Sequence, residues 1–309
     1  MTPTSDLILR DDGGVYHLGL RPADSTDLVI TVGDPDRVAA VSRHFDAVDE
    51  RRRLREFETH VGRFAGRRLA CISTGIGTDN VDIVLNELDA LANVDLATGE
   101  PRARLRQLTF VRLGTSGTAR ADVPVDTLLA SAAAIGLDGL GPGYGFRADE
   151  AAAALRQRYP AWAGHAYGAA ADPDLLAWWR GGSAVTTYGR TLTCAGFYGP
   201  QLRTLRVAHA GPPLAELAGF AADTQGASPG ETSAPRGIHN FEMETAGLYA
   251  LAAALGHRAL SLSAILANRA TGHFSAAPAA AVEALIGAFF TRLREAPLTG
   301  DSGGATFRP

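Results

Sequence analysis

The sequence predicts a single α/β domain of three layers (αβα), in which helices cover both faces of a central mixed β-sheet. Two patterns support this prediction. Short apolar runs alternate along the chain with segments of helical periodicity, and three of the apolar runs end in a glycine turn. A strand, a glycine turn and a helix, repeated in this order, are typical of α/β folds. The 309 residues fit one large domain of this class.

Strands are predicted where short apolar runs are bounded by turn residues. Ligands gather at the carboxyl ends of parallel strands, so the glycine turns after the first three strands are expected to lie together. The predicted strands are residues 28–32, before Gly33-Asp34-Pro35; 69–73, before Thr74-Gly75-Ile76-Gly77; 109–113, before Gly114-Thr115-Ser116-Gly117; 126–130; and 260–267.

Helices are predicted where apolar residues recur at intervals of three or four positions. In the clearest case Val81, Val84, Leu85, Leu88 and Leu91 share one helical face. The predicted helices are residues 36–45, 81–91, 242–255 and 277–294.

Three kinds of segment fall outside these elements. Residues 93–107 interrupt a helix-to-strand connection and predict a surface insertion. Residues 218–237 are rich in Ala, Gly, Ser and Pro and predict a mobile loop. The ends of the domain, residues 1–15 and 297–309, are expected to be flexible tails.

The composition excludes several classes of function. The net charge of −4 and the pI of about 6.1 give no basic field for nucleic acid or for an anionic membrane. Cys71 and Cys194 are too few for a disulfide framework or a cysteine-rich zinc site, and they fit a reducing cytoplasm. The N-terminus shows no apolar signal region, and no apolar run approaches membrane-spanning length. We therefore expect a cytoplasmic protein that binds neither nucleic acid nor membrane.

The most informative segment is Glu242-Met243-Glu244, where two carboxylates flank the only methionine besides Met1. A thioether can lie against the face of a sugar ring while a carboxylate accepts hydrogen bonds from its hydroxyls. The alternative is an acidic first turn that complements a helix dipole, with Met243 in the core. The segment alone leaves both interpretations open.

Two segments offer binding groups for an anion. The first, Gly33 to Arg37, combines free N–H groups at a predicted helix start with a fixed positive charge, although Gly-Asp-Pro is also a common turn. The second begins at Arg112, where an arginine ends an apolar strand and is followed by hydroxyls and glycine amides up to Gly117. These groups would form an oxyanion cradle. A structural salt bridge followed by a turn is the alternative for Arg112.

The segment from Phe197 to Arg203 joins an aromatic ring, an amide and a guanidinium. Phe197 is suited to stack on a planar base. Gln201 and Arg203 are two positions apart and would point the same way in an extended segment, towards the carbonyls of a heterocycle. An ordinary turn with a polar face is the alternative.

Two further residues have a plain structural interpretation. Arg55 lies in a run of charged residues, which is usually a solvated face. His17 is a lone histidine, for which a structural role is the default.

Taken together, these segments resemble the nucleoside phosphorylase family, and specifically its uridine phosphorylase branch. The resemblance runs from about His17 to Arg269 and keeps the family's order. It rests on His17-Leu18-Gly19-Leu20, Gly33-Asp34-Pro35-Asp36-Arg37, Arg55-Glu56-Phe57, Ser73-Thr74-Gly75-Ile76-Gly77, Arg112 to Gly117, Phe197 to Arg203, Glu242-Met243-Glu244 and Asn268-Arg269.

The resemblance implies a nucleoside phosphorylase-like fold and the phosphorolysis of uridine to uracil and ribose 1-phosphate, with inorganic phosphate as co-substrate and no cofactor. It also implies a homodimer with shared active sites, assembled into a hexamer. The implied catalytic residues are Arg203, Glu244 and Arg112. For phosphate, the implied binding residues are Gly33, Arg37, Arg112, Thr115 and a neighbouring subunit's Arg55. For ribose, they are Met243, Glu244, Thr115 and a neighbouring subunit's His17. For the base, they are Phe197, Gln201, Arg203 and Arg269, and Glu242 supports the site.

Several positions bear on the choice of base. Purine-cleaving relatives place an aspartate after a serine near the end of the last core strand, whereas this chain has Asn268 there, which favours a pyrimidine. Gly199-Pro200 reverses the usual order and Leu202 replaces a polar residue, so the exact base stays open. A monovalent cation near Glu56 is the one metal that the resemblance suggests. A purine nucleoside phosphorylase, a nucleoside hydrolase and a catalytically silent nucleoside-binding protein are the alternatives.

Overall fold

The computed structural model describes residues 6–220 and 237–298. Helices pack against a central mixed sheet, so the predicted α/β fold class is confirmed. The described strands are β1 Leu28–Val32, β2 Ala47–Leu54, β3 Phe57–Phe64, β4 Arg67–Ser73, β5 Val94–Asp95, β6 Glu100–Pro101, β7 Thr109–Thr118, β8 Leu128–Leu137, β9 Tyr167–Ala170, β10 Thr186–Cys194, β11 Asn240–Glu242, β12 Arg258–Asn268 and β13 His273–Phe274. The described helices are α1 Pro35–Ser42, α2 Thr78–Asn93, α3 Leu140–Tyr144, α4 Glu150–Arg158, α5 Pro160–Ala163, α6 Pro173–Arg180, α7 Leu214–Ala218, α8 Thr245–Ala254 and α9 Pro278–Glu295.

The main sheet has the strand order β13-β12-β8-β10-β11-β7-β1-β4-β3-β2, with β9 beside β8. Strand β1 runs parallel to β4 and β7, and β12 runs parallel to β7, so the carboxyl ends of these four strands meet at one edge. Strand β12 also pairs with β8, and β11 pairs with β7. The pairings of β8 with β10 and of β10 with β11 complete a closed ring of five strands.

The five predicted strands and four predicted helices are all present, although their ends differ. The turn predicted at Gly114-Thr115-Ser116-Gly117 is wrong, because these residues continue β7 and pair with β12. The start of the predicted helix 242–255 is also wrong. Glu242 ends β11, and α8 begins only at Thr245.

The sequence analysis missed several strands. Arg51, Arg52 and Arg53 lie on β2, an edge strand whose side chains are all at least partly exposed, which is why the segment looked like a solvated face. Strand β10 was missed because its sequence, TTYGRTLTC, has few apolar residues, although it is buried from Gly189 onwards. Polar strands inside a sheet carry no hydrophobic pattern by which to recognise them.

The predicted insertion 93–107 forms a separate exposed hairpin of β5 and β6. The Asn93 side chain closes its base, because it donates to the Arg106 carbonyl and accepts from the Arg106 N–H. Most of the predicted mobile loop (221–236) and parts of both predicted tails (1–5 and 299–309) lie outside the described residues. Within the described part of the tails, Leu9 pairs with Val15 in a β-bridge and Leu298 is buried.

The core consists of two main apolar clusters. The larger one packs α1, α2, α8 and α9 against the sheet. The smaller one includes Leu192, Leu202 and Phe241, and it supports the segment after β10. Each helix in the described ranges is too short or too polar to cross a membrane.

Candidate active site

The candidate site lies at the sheet edge where β1, β4, β7 and β12 reach their carboxyl ends. Gly33, directly after β1, faces the turn after β4, because a Cβ added to Gly33 would stand 3.4 Å from the carbonyl oxygen of Gly75. The same turn reaches the segment after β11, where the Gly77 N–H donates to Glu244 Oε1 at 2.8 Å. The structure therefore brings the first two glycine turns together beside Glu244.

Arg112 on β7 is buried and pairs with two carboxylates. Its Nη2 lies 2.6 Å from Glu244 Oε2 and 3.3 Å from Glu242 Oε2, and its Nη1 lies 3.3 Å from Ser263 Oγ. Burial alone would lower the pKa of Arg112, but the two carboxylates raise it above its ordinary value. The salt bridge that the sequence left open for Arg112 is present, and it holds a charged guanidinium at the carboxyl end of the sheet.

Gly114 leaves the space that the Arg112 guanidinium occupies. A Cβ at this position would stand 2.0 Å from Arg112 Nη1. We therefore expect Gly114→Ala to displace the guanidinium and to lower the free energy of unfolding by about 1–3 kcal/mol, measured by urea denaturation. Gly287→Ala is the matched control, because its Cβ meets nothing within 4 Å in helix α9, and it should stabilise the protein by about 0.5–1 kcal/mol. Equal stabilities of the two variants would contradict this account.

Glu242 fixes the chain between β11 and α8. Its Oε2 accepts hydrogen bonds from the backbone N–H groups of Glu244 at 2.9 Å and Thr245 at 2.8 Å. Its Oε1 accepts from Thr193 Oγ1 at 2.6 Å. Burial raises the pKa of Glu242 above its ordinary value. The position of Glu242 thus fits the supporting role that the resemblance implied.

Met243 is partly exposed, whereas Glu242 and Glu244 on either side of it are buried. The alternative that placed Met243 in the core is therefore wrong. The two oxygens of Glu244 each have one donor, the Gly77 N–H and Arg112 Nη2. A carboxylate has about four acceptor positions, so further donors can still be accommodated. The segment offers an apolar surface and acceptor oxygens side by side.

Arg37, in the first turn of α1, approaches the middle of β7. Its Nη1 lies 3.4 Å from the carbonyl oxygen of Leu113. Burial lowers the pKa of Arg37, and the positive charge of Arg112 lowers it further. Thr115 is partly exposed on β7, two residues beyond Leu113. An anion beside two guanidinium groups relieves their repulsion, so Arg37, Arg112 and Thr115 form a candidate anion site.

The segment after β10 brings Phe197, Gln201 and Arg203 together. The Arg203 guanidinium lies over the Phe197 ring, 3.9 Å from its centroid. Its Nη1 donates to the Phe197 carbonyl at 2.7 Å and to Gln201 Oε1 at 2.6 Å. The extended conformation expected here is wrong, because residues 199–201 form a 3₁₀ turn and Leu202 has a left-handed φ of 61°. The turn still directs the two polar side chains at one another.

Arg269 binds the backbone of the segment after β10. Its Nη1 donates to the Gln201 carbonyl at 2.6 Å and its Nη2 to the Leu202 carbonyl at 2.9 Å. Burial, followed by the charge of Arg203, lowers the pKa of Arg269 to about 10. Leu202 itself is buried in the smaller core cluster, which explains an apolar residue at this position. Arg269 thus lies close enough to Arg203 to feel its charge, and it contacts the backbone of the segment.

The side chain of Asn268 joins its own turn to the segment between Arg120 and Val123. Its Nδ2 donates to the carbonyl oxygens of Arg120 and Val123, and its Oδ1 accepts from the N–H groups of Ala270 and Thr271. The side chain is buried. Asn268 therefore has no free group with which to protonate a purine.

His17 and Arg55 both contact the ring of Tyr16. Arg55 is exposed at the tip of the β2–β3 hairpin, with its guanidinium 5.5 Å from the centroid of the Tyr16 ring. His17 Nδ1 lies 2.6 Å from Glu87 Oε1. Neither side chain bonds to the anion site within the described part of the chain. Glu56, the predicted neighbour of a cation, is exposed at the same hairpin tip. In residues 6–220 and 237–298, no group of three His, Cys, Asp or Glu side chains could hold a metal ion.

Three supporting groups were missed by the sequence analysis. The Gly77 amide, the Thr193 hydroxyl and the Ser263 hydroxyl bond to Glu244, Glu242 and Arg112, respectively. A hydroxyl within a buried strand is a weak sequence signal for the support of a charged side chain. The charged partner of each hydroxyl is far away in sequence, and only the folded sheet brings the two together.

These groups define a class of protein. It is an α/β protein that combines two neighbouring arginines, an acidic and apolar segment, and an arginine–glutamine pair. The chain belongs to the phosphorylase superfamily, whose profile matches residues 27–296.

Individual relatives agree with this assignment. The chain is 29% identical over 271 residues to a uridine phosphorylase of Thermococcus kodakarensis, which covers 86% of this chain and 82% of that protein. It is 28% identical over 257 residues to a uridine phosphorylase of Escherichia coli, covering 82% and 86%. A crystal structure of a Trypanosoma brucei nucleoside phosphorylase that shows uridine phosphorylase activity superimposes with a TM-score of 0.82 at 26% identity, over 94% of this chain and 100% of that one.

Proposed function

We propose that this protein is a uridine phosphorylase, which converts uridine and phosphate into uracil and ribose 1-phosphate in nucleoside salvage. The observation that carries the proposal is that the Arg203–Gln201 pair and the anion site meet on one strand: a Cβ added to Gly117 of β7 would lie 4.0 Å from Arg203 Nη2, and Arg112 lies on the same strand. The named activity of relatives over four fifths of the chain supports it. The enzyme would be a pentosyltransferase with phosphate as co-substrate and no cofactor.

In the proposed reaction a phosphate oxygen attacks the anomeric carbon of the ribose while the bond to N1 of uracil breaks. The electron pair of that bond leaves with uracil and spreads onto its carbonyl oxygens. Arg203 and Gln201 stabilise this negative charge. Gln201 Oε1 already accepts from Arg203, so the Gln201 amide N–H groups and Arg203 Nη2 are the donors left for the base.

The remaining groups fix the geometry of attack. Arg37, Arg112, Thr115 and the backbone at Gly33 hold the phosphate on the side of the oxocarbenium-like ribose. Glu244 accepts hydrogen bonds from ribose hydroxyls through its remaining acceptor positions, and Met243 lies against the ring. Arg112 is anchored by both carboxylates, so its position does not have to be established when phosphate binds. Phe197 and Arg269 complete the base site.

A pyrimidine is favoured over a purine by Asn268. In this chain the side chain of Asn268 makes four hydrogen bonds to backbone groups and carries no acidic proton. Departure of a purine is assisted by an acid that protonates a ring nitrogen other than the one bonded to the ribose, whereas uracil needs only stabilisation of charge on its oxygens. We therefore expect uridine to be cleaved faster than inosine.

A nucleoside panel assayed with and without phosphate tests the reaction and the base together. Release of uracil from uridine should require phosphate, and an equal molar amount of ribose 1-phosphate should appear. Full-rate release without phosphate would instead indicate a nucleoside hydrolase, and preference for inosine would indicate a purine nucleoside phosphorylase. Binding of uridine without turnover would indicate a catalytically silent binding protein.

We further propose that the working unit is a cytoplasmic homodimer, assembled into a hexamer, in which Arg55 and His17 of one subunit complete the site of the other. The supporting observation is that Arg55 is exposed and His17 partly exposed, that both contact the Tyr16 ring, and that among the described residues neither bonds to Arg37, Arg112 or Thr115. A monovalent cation near Glu56 belongs to the same proposed interface. The single domain would span residues 1–309.

Mixing two inactive variants tests the shared site. When Arg55→Ala and Arg203→Ala subunits are exchanged at random, about a quarter of all sites should receive both native residues, because a two-fold dimer exchanges the same surface in both directions. Activity should recover to about that fraction in the mixture. No recovery despite verified exchange of subunits would place both residues in one site of one chain.

A further inference from the structure

Leu202 separates the two polar side chains that the proposed function assigns to uracil, Gln201 and Arg203. It has a left-handed backbone conformation, with φ 61° and ψ 38°. Bulky residues rarely adopt this conformation, because the Cβ atom approaches the following carbonyl oxygen too closely. Here it closes the 3₁₀ turn, and Arg203 Nη1 comes within 2.6 Å of Gln201 Oε1. The conformation of Leu202 therefore determines how the two polar side chains are placed.

Two kinds of contact hold Leu202 in this conformation. Its carbonyl oxygen accepts a hydrogen bond from Arg269 Nη2 at 2.9 Å. Its side chain is buried in the smaller core cluster, against which Trp162 also packs. Both side chains reach Gly211, because a Cβ added there would collide with Leu202 Cδ2 and would lie 2.9 Å from Trp162 Cε2. Gly211 thus leaves the space in which the leucine and the indole ring meet.

Trp162 lies in the short helix α5 and is half-buried. Besides packing against the cluster, it lines a cavity of about 600 Å³ together with Gly199 and Pro200, which begin the turn before Leu202. Other lining residues, among them His165, are exposed, so the cavity opens to solvent. Removal of the indole ring would widen this open cavity instead of leaving an enclosed void, so a variant that lacks the ring is expected to fold.

We propose that Trp162 and Gly211 are positioning residues for uracil recognition, which act through Leu202. The proposal rests on the proposed function, since it takes Gln201 and Arg203 to be the groups that bind uracil. Without its apolar partner, Leu202 can leave the strained conformation, and the two polar side chains then lose their alignment. A misplacement of about 1 Å can lower a rate about 100-fold. The loss should appear in the kinetic parameters for uridine and not in those for phosphate, which is assigned to other segments.

Steady-state kinetics of the full-length protein test the proposal. Trp162→Ala and Gly211→Ala should each lower kcat/KM for uridine about 10- to 100-fold and leave the KM for phosphate unchanged. Trp162→Phe keeps an apolar ring beside Leu202 and should retain most of the native activity. Trp178→Ala is the matched control, because Trp178 is also half-buried but packs against the larger core cluster, and it should leave the rates unchanged. A native rate for uridine in Trp162→Ala, or an equal loss in Trp178→Ala, would overturn the proposal.

A double variant tests whether Trp162 acts through Leu202. Leu202→Gly removes the side chain but still permits the left-handed conformation. If the tryptophan acts through the leucine, kcat/KM of Trp162→Ala/Leu202→Gly should equal that of the less active single variant. Independent roles would instead multiply the two losses, and that result would overturn the proposal.

Hydrogen exchange separates this proposal from the proposed function, because it does not depend on turnover. The N–H groups of Leu202 and Arg203 both donate to backbone carbonyl oxygens of the turn, at 2.9 Å. Their exchange should be faster in Trp162→Ala than in the native protein and unchanged in Trp178→Ala. Unchanged exchange in Trp162→Ala would overturn this proposal and leave the proposed function standing. Absence of uridine phosphorolysis in the native protein would reject the proposed function, and the link to uracil with it.

Discussion

Replacing Arg203 by alanine is expected to lower kcat/KM for uridine by roughly 100- to 1,000-fold, mainly through kcat. Uracil leaves with a negative charge, and removal of a preorganised donor to such a charge typically has this cost. Arg203 is preorganised here, because Nη1 is held by Gln201 Oε1 and the Phe197 carbonyl, which leaves Nη2 for the base. Steady-state rates with varied uridine and saturating phosphate provide the measurement.

Arg206→Ala is the matched control, because Arg206 is exposed on the same segment and three residues away. It should leave kcat/KM unchanged. Arg203→Lys should fall between the native protein and Arg203→Ala, since one ammonium group keeps the charge but loses the planar geometry. Urea denaturation of each variant separates a loss of chemistry from a loss of folding. A native rate in correctly folded Arg203→Ala would remove Arg203 from the mechanism.

The sequence predicted the parts of the fold that have a hydrophobic pattern. Strand β1 is apolar except for Thr31 and was predicted with its observed ends, Leu28 and Val32. The edge strand β2 and the threonine-rich β10 have no such pattern, since their pairing partners stabilise them more than their own side chains do. The same reason accounts for Gly114 to Gly117, which looked like a turn in isolation but pairs with β12.

The candidate site was predictable as a set of residues but not as a set of contacts. Arg37, Arg112 and Glu244 were expected to act on substrate, and the structure brings Arg112 and Glu244 together. It also shows that Arg112 is bound by carboxylates of its own chain, a contact between residues 132 positions apart that no local pattern encodes. The contacts of Arg269 with the Gln201 and Leu202 carbonyls likewise depend on the left-handed turn at Leu202.

Arg112→Met is expected to lower the free energy of unfolding by about 3–5 kcal/mol at neutral pH, because it leaves two buried carboxylates without their cation. The loss should depend on pH. Burial already raises the pKa of Glu242 above the ordinary value of 4.5, and removal of Arg112 raises it further. A carboxyl whose pKa is higher in the folded state contributes stability below its unfolded-state pKa and loses that contribution as pH rises through its folded-state pKa. The deficit of Arg112→Met should therefore shrink as the pH falls towards 4.5 and be largest at neutral pH.

The double variant Arg112→Met/Glu244→Gln separates the structural role of Arg112 from its proposed role in phosphate binding. Removing one of the two buried charges should restore most of the stability that Arg112→Met loses, because the repulsion between Glu242 and Glu244 is gone. Phosphorolysis should not return, since the anion site still lacks a guanidinium and the ribose site now lacks a carboxylate. Urea denaturation over a range of pH and rates with varied phosphate measure the two properties separately. If Arg112→Met were as stable as the native protein at neutral pH, the ion pair would not hold the site together. If the double variant recovered turnover, Arg112 would act only as a structural partner of Glu244.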